Sequence, residues 1–158
     1  MTFPFPFISV AASAAVVTFG ALVKKAADQT AADYTTATIM AFDEEVYDYG
    51  GWHDNSTNNS RLTVPSGVSR VRIFAQVGIS DFSLNIQRRF DILMNGAVMT
   101  LEGFESDTVT STTAASIFAS YPIAVTPGDY FELRFKVTTD GSIRIVALET
   151  TFAIEKVE

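Results

Sequence analysis

The chain holds 158 residues, 47% of them hydrophobic and 18% charged, with a formal charge of −7 and no cysteine. Length and apolar content point to one domain with a sizeable core and exclude a disordered chain. The acidic balance excludes a dominantly electrostatic nucleic-acid binder, and the missing thiols exclude disulfides, thiolate metal sites and a cysteine nucleophile. Disulfide-bearing extracellular animal domains are a poor match, so a bacterial or viral setting is expected.

The first segment, MTFPFPFISVAASAAVVTFG (1–20), is apolar. Its small-residue texture resembles a signal cleavage region, but no Lys or Arg precedes Lys24, where a secretory signal wants a positive start. Pro4 and Pro6 alternate with Phe3, Phe5 and Phe7, which resists a helix, and the remaining run falls short of the ~20 residues that span a bilayer. The segment reads as an extended arm whose Phe3, Phe5, Phe7 and Ile8 dock on a partner protein. KKAADQTAADYTT (24–36) lacks an apolar face and reads as a connection between strands, with a short helix as the alternative.

From there the pattern is β. RVRIFAQVGI (70–79) puts Val71, Ile73, Ala75, Val77 and Ile79 on one face, a half-buried strand. FDILM (90–94) runs into Asn95-Gly96, a two-residue hairpin signal, with VMTLEGF as the return strand. ESDTVTSTTAAS (105–116) reads as a flexible loop. SIFASYPIAV (116–125) places Ile117, Ala119, Tyr121, Ile123 and Val125 on one face, and TPGD (126–129) is a turn. YFELRFKV (130–137) turns Phe131, Leu133, Phe135 and Val137 inward, and the C-terminal residues make one long or two short strands. Phe74, Phe118 and Leu148 fall opposite these inward sets, a surplus of apolar surface that suggests subunit contacts.

The stretch VYDYGGWHDNSTNNS (46–60) holds the only Trp and the only His, flanked by Asp48 and Asp54. Zinc is excluded by inventory, since one His and no Cys leave only carboxylates. An EF-hand loop starting at Asp54 puts Asn59 where Gly is required and Pro65 where the bidentate Glu belongs. A looser calcium site on Asp43, Glu45 and Asp48 remains as a weak option; no other metal and no cofactor is expected. No nucleophile elbow accompanies His53, and no phosphate-binding glycine motif occurs, so no catalytic residue is assigned. Two sequons, at Asn55 and Asn58, read as coincidences of a Ser/Asn-rich loop. In the plain reading Gly50-Gly51 supplies positive φ, Trp52 plugs the end of the sandwich, and Asp48 and Asp54 hold turns. In the alternative, Asp48, Trp52, His53 and Asp54 contact a neighbouring subunit or a ligand such as a sugar.

Taken together, Phe42, Asp43, Glu45, Tyr47, Asp48, Gly50, Gly51, His53 and Asp54, then RLTVPSGVSRV, then PGDYFELRFKV and FAIEKVE, resemble the TNF-like jelly roll in its complement globular-head form. The variant with GGWHDNST looks most like those of tailed bacteriophages and phage-like particles. The resemblance implies an all-β, single jelly-roll sandwich of about ten strands over residues 21–158, a homotrimer used for binding and not for catalysis. With the arm of residues 1–20 it implies a virion fibre, spike or decoration subunit, anchored to a capsid, portal or fibre protein and reaching a host-surface glycan, without nucleic-acid or membrane partners. The alternative is a secreted bacterial adhesin or carbohydrate-binding protein whose residues 1–20 are a signal segment.

Overall fold

In the computed structural model, described for residues 19–31, 37–80, 86–99, 107–109, 113–137 and 143–157, strands make two stacked sheets. In chain order they are β1 (Gly20–Lys24), β2 (Gln29–Ala31), β3 (Thr38–Ile39), β4 (Glu44–Tyr49), β5 (Arg61–Thr63), β6 (Arg70–Ser80), β7 (Ile86–Met94) and β8 (Ala97–Val98). They continue as β9 (Asp107–Val109), β10 (Thr113–Ala119), β11 (Ile123–Ala124), β12 (Tyr130–Val137), β13 (Ile143–Ile145) and β14 (Thr151–Lys156), with a 3-10 turn at Ala147–Glu149. The first sheet runs β2-β13-β6-β14-β1-β4, with β10 and β11 on the other edge of β6; the second runs β3-β12-β7-β8, with β5 on β12 and β9 on β7. Every pairing among the described strands is antiparallel. This is an all-β sandwich, as the alternating sequence requires.

Period-two alternation builds the core. Val71, Ile73, Ala75, Val77 and Ile79 of β6 all point inward, beside Phe152 and Ile154 of β14 and Ala21 and Val23 of β1. Phe131, Leu133 and Phe135 of β12 face them from the second sheet with Phe90 and Ile92 of β7. Phe135 sits across from Phe90 with ring centroids 4.9 Å apart, and Phe42 stacks on Phe152 at 5.6 Å. Each such side chain taken fully out of water stabilises the fold by about 1.5–3 kcal/mol. On the outer face of the second sheet Arg134 lies directly opposite Asp91 and pairs with it, so a buried carboxylate is not left uncompensated.

The hairpin at Asn95-Gly96 forms as expected, with φ of 53° and 78° at the two turn residues, the mirror-image turn that matches strand twist. Its return strand β8 is only two residues long; residues 100–104 lie outside the described part.

Three segments depart from the sequence expectation. Gln29–Ala31 forms strand β2 on β13 rather than a helix or a plain connection, and the Ser/Thr-rich 105–116 segment contributes β9 and the start of β10. Residues 116–125 are not one strand with one inward face. Ala119 pairs with Phe74 and Ile123 with Val71, so four steps along one strand oppose three along β6. That extra residue is a bulge, and it exchanges the faces. Ser120 pins it: its N–H donates to the Ile73 carbonyl and its Oγ accepts from the Ile73 N–H at 2.8 Å. In consequence Ile117 and Tyr121 are 80% and 75% exposed, while Phe118, Ile123 and Val125 pack on the core.

Candidate functional site

The β4–β5 connection is built around one carboxylate. Oδ1 of Asp48 accepts the backbone N–H groups of Gly51 and Trp52 at 3.1 and 3.0 Å, and Oδ2 accepts that of His53 at 3.1 Å. Gly50 and Gly51 take φ of 128° and 73°, which lets three consecutive amides turn toward one side chain. Gly50 is also sterically bound: a Cβ there would press on the Phe19 ring and on the indole nitrogen of Trp52.

Trp52 is 1% exposed and belongs to the core cluster. Its indole N–H donates to the Tyr49 carbonyl at 3.2 Å, and its own carbonyl receives the Thr63 N–H. The ring is thus the plug of the sandwich end. The His53 side chain is wholly buried between Oε1 of Glu45, 3.1 Å from Nδ1, and the Asn59 carbonyl, 3.2 Å from Nε2. Glu45 Oε1 also accepts the Asn55 amide. Asp54 is exposed. Its Oδ1 accepts the Ser56 hydroxyl and the N–H groups of Ser56 and Thr57, and these bonds, the hydroxyl first, hold its carboxyl below the usual carboxylate range.

The structure therefore brings Asp48, Trp52, His53 and Asp54 into one loop but gives them different surroundings. The carboxylates of the weak calcium option each have partners within the fold. Asp43 accepts the Ala26 N–H, Glu45 holds His53 and Asn55, and Asp48 holds the turn; among the described residues no group of three His, Asp or Glu side chains converges on a metal position. Phe3, Phe5, Phe7 and Ile8 of the arm lie outside the described residues.

Beside the loop opens a cleft of about 340 Å³, walled by Asp54, Thr57 and Asn58 on the loop and by Arg61, Thr63 and Tyr130 on β5 and β12. Arg61 and Tyr130 escaped the sequence reading. The guanidinium of Arg61 lies 4.0 Å above the Tyr130 ring, and its Nε donates to Glu132 Oε1, which also accepts the Ser60 hydroxyl. Only the pairing of β5 with β12, Arg61 opposite Glu132, brings residues 61 and 130 together.

A second feature lies on the outward face of the first sheet. Cross-strand partners align Ala119, Phe74, Ala153, Leu22 and Tyr47 in one row over five strands. The neighbouring partners on either side are polar: Arg72 with Glu155, and Gln76 with Thr151. Beyond them the 3-10 turn covers Gly78. Phe19, Val46, Tyr49, Ile117 and Tyr121, exposed large apolar side chains, belong to the same sheet or its entry. Tyr47 stacks on Tyr49 at 5.5 Å, and burial, followed by the charge of Glu155, pushes its hydroxyl above the usual phenol range.

Lys25 was also invisible to sequence reading. It is 4% exposed, with Nζ donating to Gln29 Oε1 and to the Ala41 carbonyl at 2.7 Å each. Burial lowers its pKa, opposed by the charges of Asp43 and Asp28.

No protein-family model and no curated protein sequence matches the chain. Solved structures do. Murine APRIL at pH 5.0 aligns with a TM-score of 0.61 at 11% identity over 89% of this chain and 99% of that one. Murine APRIL at pH 8.0 gives 0.59 at 13% identity, over 87% and 98%. The globular domain of the zebrafish complement 1qA protein gives 0.57 at 11% identity, over 89% and 98%. The fold is a TNF-like jelly roll of the complement-head kind.

Proposed function

We propose that the chain is the subunit of a homotrimeric, non-catalytic binding protein of a tailed-bacteriophage or phage-like particle. Residues 1–20 anchor it to a capsid, portal or fibre protein, and the jelly roll carries attachment to host-surface glycans. The observation that carries the assembly is the row Ala119, Phe74, Ala153, Leu22 and Tyr47, apolar in its centre and flanked by Arg72, Glu155, Gln76 and Thr151. An apolar core with a polar rim is the anatomy of a subunit interface, and a cyclic trimer covers one such row on every copy. The cysteine-free composition, the apolar arm and the GGWHDNST loop support the particle setting. Three arms and three heads acting together gain avidity, so no single contact need be tight.

Light scattering of the purified chain tests the assembly: three times the 17.2 kDa chain mass is expected, and a monodisperse monomer overturns it. Peptide mass spectrometry of purified particles tests the setting. Peptides from residues 1–20 are expected there; a mature chain that starts after residue 20 in the culture medium favours the secreted adhesin instead.

A further inference from the structure

The cleft between the β4–β5 loop and Tyr130 serves neither the apolar row nor the arm. We propose that it binds a neutral saccharide of one or two rings, an inference that rests on the glycan-binding part of the function proposed above. Its volume, about 340 Å³, sits at the small end of the roughly 300–1,000 Å³ of ligand pockets.

The lining sets the chemistry. Asp54 and Arg61 are planar groups that offer a two-oxygen acceptor fork and a donor fork, shapes that match neighbouring hydroxyls on a ring. The turn bonds of Asp54 all fall on Oδ1, and among the described residues no partner takes its Oδ2 or the Nη atoms of Arg61. Thr57 and Thr63 add hydroxyls that both donate and accept, and Asn58 adds an amide. Gly51 and Gly128 line the same space in left-handed conformations with nothing within 4 Å of a built Cβ, leaving bare backbone for close approach.

Charge then selects against ions. The lining carries one charge of each sign: an anion is drawn to Arg61 but meets Asp54, a cation is drawn to Asp54 but meets Arg61, and a neutral polyol satisfies both. The guanidinium is held in advance by Tyr130 and by Glu132, itself buried and bonded to Ser60. Little side-chain freedom is therefore lost when a ligand arrives.

The test is amide chemical-shift titration of the full-length chain with methyl glycosides of glucose, galactose, mannose and N-acetylglucosamine, with glucuronate and glycine as charged controls. At least one neutral glycoside is expected to shift Gly51, Asn58 and Gly128 with millimolar affinity. Arg61→Gln and the exposed Thr57→Val, which cannot unfold the core, are each expected to weaken it at least fivefold. The proposal is overturned if no neutral glycoside shifts these amides, if glucuronate or glycine binds as tightly, or if Thr57→Val leaves affinity unchanged. All walls come from one chain, so a monomer that still binds sugar overturns only the trimer. A neutral glycoside that shifts other amides and leaves these three unmoved overturns only the cleft, whereas no shift anywhere in the chain overturns the glycan-binding reading with it.

Discussion

The β4–β5 loop and the outward face of the first sheet contrast in how they treat polar and apolar groups. The loop contains the rarest residues of the chain and satisfies them internally: Asp48 takes three amides, Trp52 enters the core, and His53 is enclosed between Glu45 and Asn59. The sheet face is made of common residues, Ala119, Phe74, Ala153, Leu22 and Tyr47, and its neighbours Ile117 and Tyr121 remain exposed. Rarity marked a structural device, whereas plain apolar residues in cross-strand register make up the row proposed above as the subunit contact.

Four changes would break or sharpen this contrast. Trp52→Ala removes the plug and leaves a cavity at the sandwich end, so a loss of about 3–5 kcal/mol is expected in denaturant unfolding. If Trp52 were instead a surface contact, stability would hardly change. Phe74→Glu places a charge in the middle of the apolar row on a side chain that faces away from the core. Association is expected to weaken by roughly 2–4 kcal/mol, read as a fall in light-scattering mass, while the far-ultraviolet circular dichroism stays native. An unchanged mass would remove the row from the interface.

Asp48→Ala deprives three amides of their acceptor and is expected to cost about 1–3 kcal/mol, with faster hydrogen exchange confined to residues 50–53. Uniformly faster exchange would mean that the carboxylate supports the whole fold and not one turn. The smallest effect concerns Lys25. Its folded pKa lies below its unfolded value, so between the two the unfolded chain binds the extra proton and stability rises with pH. Lys25→Met is expected to flatten the slope of unfolding free energy as pH rises toward the ordinary lysine range. A slope equal to that of the parent chain would show that Lys25 stays charged in the fold.

Strands were legible wherever apolar and polar residues alternate without interruption, as in β6 and β12, because the side-chain period of a strand is two and one face must be buried. The Asn95-Gly96 turn was legible because it needs positive φ at two successive positions. The facing of 116–125 was not, because nothing local announces the extra residue at Ser120; its bond to Ile73, 47 residues away, creates the bulge. The plug role of Trp52 was readable from the adjacent glycines and acids. Arg61 and Tyr130 were not readable as one wall, since they lie 69 positions apart and only the β5–β12 register makes them neighbours.

By itself, then, the sequence determined an all-β chain with a cysteine-free core, a hairpin at Asn95-Gly96 and a turn anchored near Asp48, all consequences of local period and backbone freedom. The tertiary structure alone decided which face of each strand meets the core after a bulge, how Lys25 came to be buried, and which residues wall the cleft. Those outcomes depend on contacts between distant segments, and a pattern confined to neighbours along the chain carries no record of them.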